Sequence, residues 1–199
     1  MGDMTTAPDG RSLTGDIVRL DRLVADDIES LYAAIGNEQV YAGGFGGGLA
    51  GMPANADQMR EDWVAGATLR TAYVVRLVAD GTVVGTTSLG DVDLHNESVH
   101  LGWTAYAPSV WGTAVNPATK LLMLQHAFED CGFGRVKIQT GSTNARSQAA
   151  IAKLGATREG VLRRHKRLPD GSFRDTVVFS ILADEWPDVR KRLQDRISG

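Results

Sequence analysis

The sequence predicts an α+β protein, a mixed sheet with helices packed on it. Three observations predict it. The elements fall in the order β-α-α-β-β-β-α-β-α-β-β, which is neither a doubly wound repeat nor a run of strands alone. The 199 residues are 43% hydrophobic and 23% charged, ordinary for a globular chain and too apolar for a disordered one. No stretch approaches the roughly 18 consecutive apolar residues that a membrane helix needs. Residues 1–12 are small and polar and read as a flexible N-terminus, and 13–199 as a single domain. Cys131 is the only cysteine, which leaves no intramolecular disulfide or multi-cysteine metal site and fits a cytoplasmic protein. A net charge of -3 does not suit a nucleic-acid binder.

Each element has a local reason. Asp16 to Leu20 alternates as a strand. Ala25 to Ile35 places Ile28, Leu31, Tyr32 and Ile35 at helical spacing, with Asp26 and Asp27 where the helix dipole favours acids. The cluster Gly43, Gly44, Gly46, Gly47, Gly48 and Gly51 is too glycine-rich for an element interior and reads as a mobile loop or substrate lid. A second helix is expected from Ala56 to Ala65. Ala72 to Val78 and Thr82 to Leu89 are strands joined at Asp80-Gly81, a hairpin dipeptide. Ser98 to Tyr106 alternates, which puts Val99, Leu101 and Trp103 on one face and His100, Gly102 and Thr104 on the other.

Pro117 to Asp130 reads as a helix capped by Asn116, with stripe Leu121, Leu124 and Phe128 and a stop at Gly132. Arg135 to Thr140 is a strand. Asn144 to Leu154 is a helix, capped by Asn144 and stopped at Gly155. Strands Arg158 to Lys166 and Phe173 to Leu182 flank the turn Pro169-Asp170-Gly171, and Trp186 to Ile197 is a charged helical tail.

Charge is uneven along the chain. Residues 1–110 hold 6 Lys+Arg and 15 Asp+Glu, a balance of -9, and residues 111–199 balance at +6. Such a split suits an anion held by the second half and a cation welcomed by the first, or it reflects drift along a sequence that mixes in space. A strand broken at Pro108, a turn of small residues and a helix entry at Pro117 would gather the amides of Trp111 to Asn116 at a helix N-terminus. That is a main-chain anion site of the kind that holds a pyrophosphate.

This loop, the element order and the stretch from Asn144-Ala-Arg-Ser147 through Gly155 to Gly160 resemble the GNAT acetyltransferase superfamily, in particular its RimJ/RimL-type ribosomal-protein N-terminal acetyltransferase branch. The resemblance covers about residues 13 to 187. It implies a mixed, mostly antiparallel central sheet of about seven strands with helices on both faces. It also implies transfer of an acetyl group from acetyl-CoA to a primary amine (a protein N-terminal α-amine, a lysine or a small amine) by direct attack, without a metal, and a homodimer. Carried over residue by residue, the main chain of Thr104 and Tyr106 would bond the pantetheine. One of these amides would polarise the thioester carbonyl. The amides of Trp111, Gly112, Thr113, Ala114, Val115 and Asn116 would hold the pyrophosphate. The sequence departs from the family's Gln/Arg-x-x-Gly-x-Gly/Ala loop at Trp111, Ala114 and Asn116.

Two side chains are candidates for proton transfer. His100 stands where the branch has a Glu base, and an imidazole titrates near neutrality; alternatively it is a buried, hydrogen-bonded histidine. Ile151 occupies the position of the superfamily's acid Tyr and cannot donate a proton. Ser147 fits the Ser that the branch uses as acid, or it is a capping hydroxyl. Asn144 would contact the cofactor arm or the splayed strand, cap its helix, or both. Asp91, Asp93, His95 and Glu97 read as a polar turn, or as part of a negative substrate mouth, rather than a metal site. The basic stretch from Arg158 to Arg174 reads mainly as a solvated hairpin face. It lacks the interleaved aromatics of an RNA surface. The alternatives are a transferase for another acyl-CoA, such as succinyl-CoA, and a non-catalytic acyl-CoA-binding module.

Overall fold

Strands with apolar residues at consecutive positions must be covered on both sides, because successive side chains leave a strand on opposite faces. The third strand shows this directly. Tyr73 and Val75 enter one core and Val74 the other, all at 0% exposure. In the computed structural model, which describes residues 5–66 and 69–199, the elements run as follows. Strands β1 (Leu13–Thr14) and β2 (Val18–Arg22) precede helices α1 (Ile28–Ile35), α2 (Glu38–Ala42) and α3 (Ala56–Gly66). Next come β3 (Arg70–Leu77), β4 (Val83–Asp93), β5 (Ser98–Tyr106) and α4 (Val115–Gln125). The chain ends with β6 (Arg135–Gly141), α5 (Ala145–Ala152), β7 (Thr157–Arg167), β8 (Phe173–Leu182) and α6 (Trp186–Ser198).

The eight strands form one sheet in the order β1-β2-β3-β4-β5-β6-β8-β7, one more strand than expected because β1 adds a short edge. All neighbours are antiparallel except β5 and β6. The larger core lies between the sheet and α4 and α6, with Leu20, Leu101, Met123, Leu124, Ile181 and Leu193 among its members. The smaller core lies under α1 and α3, where Ile28, Leu31, Ile35 and Met59 meet Val74, Val83 and Ala105. Helices thus cover both faces. None of the helices described is long and apolar enough to cross a membrane.

Three local expectations are corrected. α4 begins at Val115 with Ala114 as its N-cap, two residues before the expected start at Asn116 and Pro117. Its buried side includes Thr119, Lys120, Met123 and Leu124 rather than the expected stripe through Leu121 and Phe128, which are only partly buried. Past Gln125 the helix widens into a π turn, His126–Asp130. The glycine cluster is not a bare loop. It follows the short helix α2 and folds as two 3-10 turns, Phe45–Gly47 and Leu49–Gly51. The expected flexible start falls partly on residues 1–4, which lie outside the described residues. In the described part of that segment the Thr6 N–H donates to Cys131 O at 2.9 Å.

Candidate active site

The parallel pair β5–β6 is joined only at Ser98, Val99 and His100, opposite Arg135, Val136 and Lys137. Beyond His100 the strands separate, and β5 keeps a free edge from Leu101 to Tyr106. A bulge in β5 accompanies the separation. Ser88 pairs with Gly102 and Thr86 with Ala105, so β5 spends three steps where β4 spends two. Trp103 takes up the extra residue in the left-handed region, φ 49.

The bulge corrects the expected alternation. Val99 and Leu101 belong to the larger core, but Ala105, of the same parity, belongs to the smaller one. Trp103 therefore lies beside His100, ring centroids 4.7 Å apart, instead of beside Leu101. After the bulge, the Ala107 N–H bonds Val84 O at 2.8 Å, and a Cβ placed on Gly85 would meet Ala105 O at 2.3 Å. Ala105 and Ala107 therefore face β4. By alternation, the peptide groups of Thr104 and Tyr106 face the gap.

The gap opens into a cleft of about 1220 Å³. His100, Thr104, Tyr106, Trp111, Gly112, Asn116, Asn144 and Ser147 line it, but Thr113, Ala114 and Val115 do not. Bonds within the loop before α4 account for Thr113 and Val115. The N–H groups of Trp111 and Thr113 donate to Pro108 O and Val110 O, and Val115 N–H donates to the Thr113 hydroxyl at 3.3 Å. The amides of Gly112, Ala114 and Asn116 have no partner in the loop. Gly112 turns the chain at φ 77, with nothing within 4 Å of an added Cβ. Trp111 closes the loop onto β5, its indole Nε1 donating to Tyr106 O at 2.9 Å. The Arg146 guanidinium lies 4.2 Å from the Trp111 ring centre.

Asn144 caps α5, its Oδ1 accepting from Ser147 N–H at 2.9 Å. Its Nδ2 donates to Gly43 O at 2.5 Å, which ties the glycine turns to the cleft wall. Asn144 is thus the cap, and Ser147, whose hydroxyl is not needed for that task, lines the cleft. The glycine turns also reach the opposite wall, since a Cβ on Gly47 would lie 2.8 Å from the Pro169 ring.

His100 is 4% exposed. Burial, with the charges of Lys137 and Lys120, pushes its pKa down to about 4 against the pull of Asp91. The imidazole is therefore neutral at pH 7, with its titration well below the expected near-neutral range. Its Nδ1 lies 3.3 Å from Asp91 Oδ2, and the same carboxylate oxygen accepts from Lys137 Nζ at 3.0 Å. Burial works against the Asp91 carboxylate, but Lys137 and His100 outweigh it and hold its pKa below the usual range. Asp91, read from sequence as a turn acid or part of a negative substrate mouth, lines the cleft. A bulge at the end of β4 turns it inward, at φ 47.

Sequence reasoning also missed Lys120. This residue is 7% exposed, lines the cleft and donates from Nζ to Thr104 Oγ1 at 2.9 Å. The signal was available, because Lys120 stands one turn before the buried Leu124 and so on the inward side of α4. The cleft lining keeps the sign of the charge split. Lys120, Arg146, Lys166, Arg167 and Arg174 of the second half stand against Asp62 and Asp91 of the first, where, among the described residues, Arg70 is the one cation in the lining.

The family model described as "Acetyltransferase (GNAT) domain" matches residues 18–157. A Bacillus subtilis (strain 168) protein named "Putative ribosomal N-acetyltransferase YdaF" is 28% identical over 138 residues, which are 67% of this chain and 74% of that one. A GCN5-related N-acetyltransferase from Brucella melitensis superposes with TM-score 0.86 at 26% identity, covering 96% of this chain and 87% of its own. Mycobacterium smegmatis RimJ, solved with CoA-disulfide, superposes with TM-score 0.72 at 22% identity over 92% of each chain, a likeness of fold.

Proposed function

Because the chain belongs to the GNAT acetyltransferase family, we propose that it transfers an acetyl group from acetyl-CoA to a primary amine. The observation that carries this reading is the free edge of β5, opened by the bulge at Trp103 into a cleft that also holds unpaired loop amides and a neutral imidazole. The pantetheine would lie along the gap as a pseudo-strand on the peptide groups of Thr104 and Tyr106. The pyrophosphate would meet the amides of Gly112, Ala114 and Asn116 at the N-terminus of α4, with the cationic lining around it. Ala114 in place of glycine still offers its N–H. Trp111, in place of Gln/Arg, fixes the loop to Tyr106 O.

The incoming amine is a nucleophile only after it loses a proton. His100 is neutral at neutral pH and would take that proton, with Asp91 beside its Nδ1 to stabilise the imidazolium that forms. The amine nitrogen bonds the thioester carbon, and the C–S pair leaves with sulfur. The Ser147 hydroxyl would return a proton to the thiolate, a role Ile151 cannot fill. The name of the Bacillus relative, a putative ribosomal N-acetyltransferase, supports an amine of a ribosomal protein as the acceptor.

Thermal unfolding with acetyl-CoA, succinyl-CoA or neither tests the donor. A ligand at 100 times its Kd raises the stability of the folded state by about 2.7 kcal/mol. CoA release with peptides of defined N-terminus, lysine and small amines then identifies the acceptor. A chain stabilised by neither acyl-CoA refutes the reading.

A further inference from the structure

Lys120 is a buried amine with an incomplete set of partners. It projects from α4, is 7% exposed, and makes one hydrogen bond, to Thr104 Oγ1 at 2.9 Å. Among the described residues no carboxylate lies within ion-pair distance of its Nζ. The Thr104 hydroxyl is in turn 2.8 Å from Thr87 Oγ1 and cannot satisfy more than one of the three N–H groups of an ammonium. A buried cation without an anion is costly, and sites keep one where an anion or an oxygen of developing charge will arrive. Lys120 lines the cleft, and its one partner, Thr104, is on the stretch of β5 past its pairing with β6 and has peptide groups that face the gap.

Resting on the acetyltransferase reading, we propose that Lys120 is a catalytic residue that donates a hydrogen bond from its ammonium to the thioester carbonyl oxygen as that oxygen becomes an oxyanion. As the amine nitrogen bonds the carbonyl carbon, the π pair moves onto oxygen, where Nζ–H and a β5 amide meet it. When the pair returns, the C–S bond breaks and the electrons leave with sulfur. The amine proton passes to His100, and Lys120 keeps its own. The Thr104 bond fixes the Nζ position before substrate arrives, so little reorganisation is needed as the charge develops.

Burial brings the Lys120 pKa down to about 7. The titratable neighbour that senses its charge is His100 on β5, itself flanked by Lys137 of β6 and Asp91 of β4. Since the ammonium is the working form, kcat falls as pH rises above about 7.

Lys120→Met keeps the length and removes the charge. It is compared with wild type by thermal shift with CoA and by kcat and KM for acetyl-CoA from pH 6 to 9. The expected result is a retained CoA shift, kcat lowered by about 100- to 1000-fold, an unchanged KM, and loss of the decline above neutral pH. Lys120→Gln, which can still donate to Thr104, gives the same comparison if the methionine variant does not fold. A variant kcat within a few-fold of wild type, a loss confined to KM or CoA binding, or an unchanged alkaline limb overturns the role of Lys120 while leaving the acetyltransferase reading in place. A wild-type protein that neither binds CoA nor turns over overturns both.

Discussion

Replacing His100 with glutamine should flatten the acid limb of the protein's stability. In the fold His100 protonates at about 4, against 6.5 for an unperturbed histidine. Between those values the unfolded chain binds a proton that the folded chain does not, so stability rises with pH across the window. The gain is complete above 6.5 and is lost as pH falls toward 4. At about 1.4 kcal/mol per pH unit, the interval corresponds to roughly 3 kcal/mol. Urea unfolding of wild type and His100→Gln at pH 4, 5, 6 and 7 measures it, because groups common to both proteins cancel in the difference. The wild-type value should drop by roughly 3 kcal/mol more than the variant's between pH 7 and pH 4. Parallel profiles would mean that the imidazole is not held neutral by its surroundings, and the argument for it as a poised base would fail with them.

Gly102→Ala places a Cβ 2.6 Å from His100 Nε2, against a ring confined by Trp103. It should cost about 1–3 kcal/mol in denaturant unfolding, as overpacking does, and slow turnover by displacing the base. Ser147→Ala should leave stability within about 0.5 kcal/mol while lowering kcat, since Asn144 already supplies the cap. A matched loss of stability would assign the hydroxyl a structural task. Asn144→Ala removes that cap and the bond to Gly43 O. It should cost about 1 kcal/mol and lower Tm by about 2–4 °C, readable by thermal unfolding.

Much of the fold was written in local patterns. Ser98–Tyr106, read from its alternation, and Phe173–Leu182, read beside the Pro169-Asp170-Gly171 turn, occur as strands at the expected limits, and Asn144 caps α5 as an Asn before a helical run should. The short α2 was hidden because a glycine-rich neighbourhood masks five helical residues. The start of α4 was misplaced because Asn116-Pro117 is a strong capping signal, yet the helix begins two residues earlier, at Val115.

The sequence by itself determined the α+β class, the family resemblance, and the positions of the loop, His100, Ser147 and Asn144 along the chain. Each depends on residues within a few positions of one another. Only the tertiary structure decided how these parts face one another. The bulge at Trp103 reverses the parity of β5, so a strict two-residue alternation assigns Trp103 to the wrong face. The descent of the His100 pKa, to which burial, Lys137 and Lys120 contribute, and the bond of Lys120 to Thr104 join residues far apart in sequence. Desolvation and charge act through distance in space, and no spacing along the chain records that.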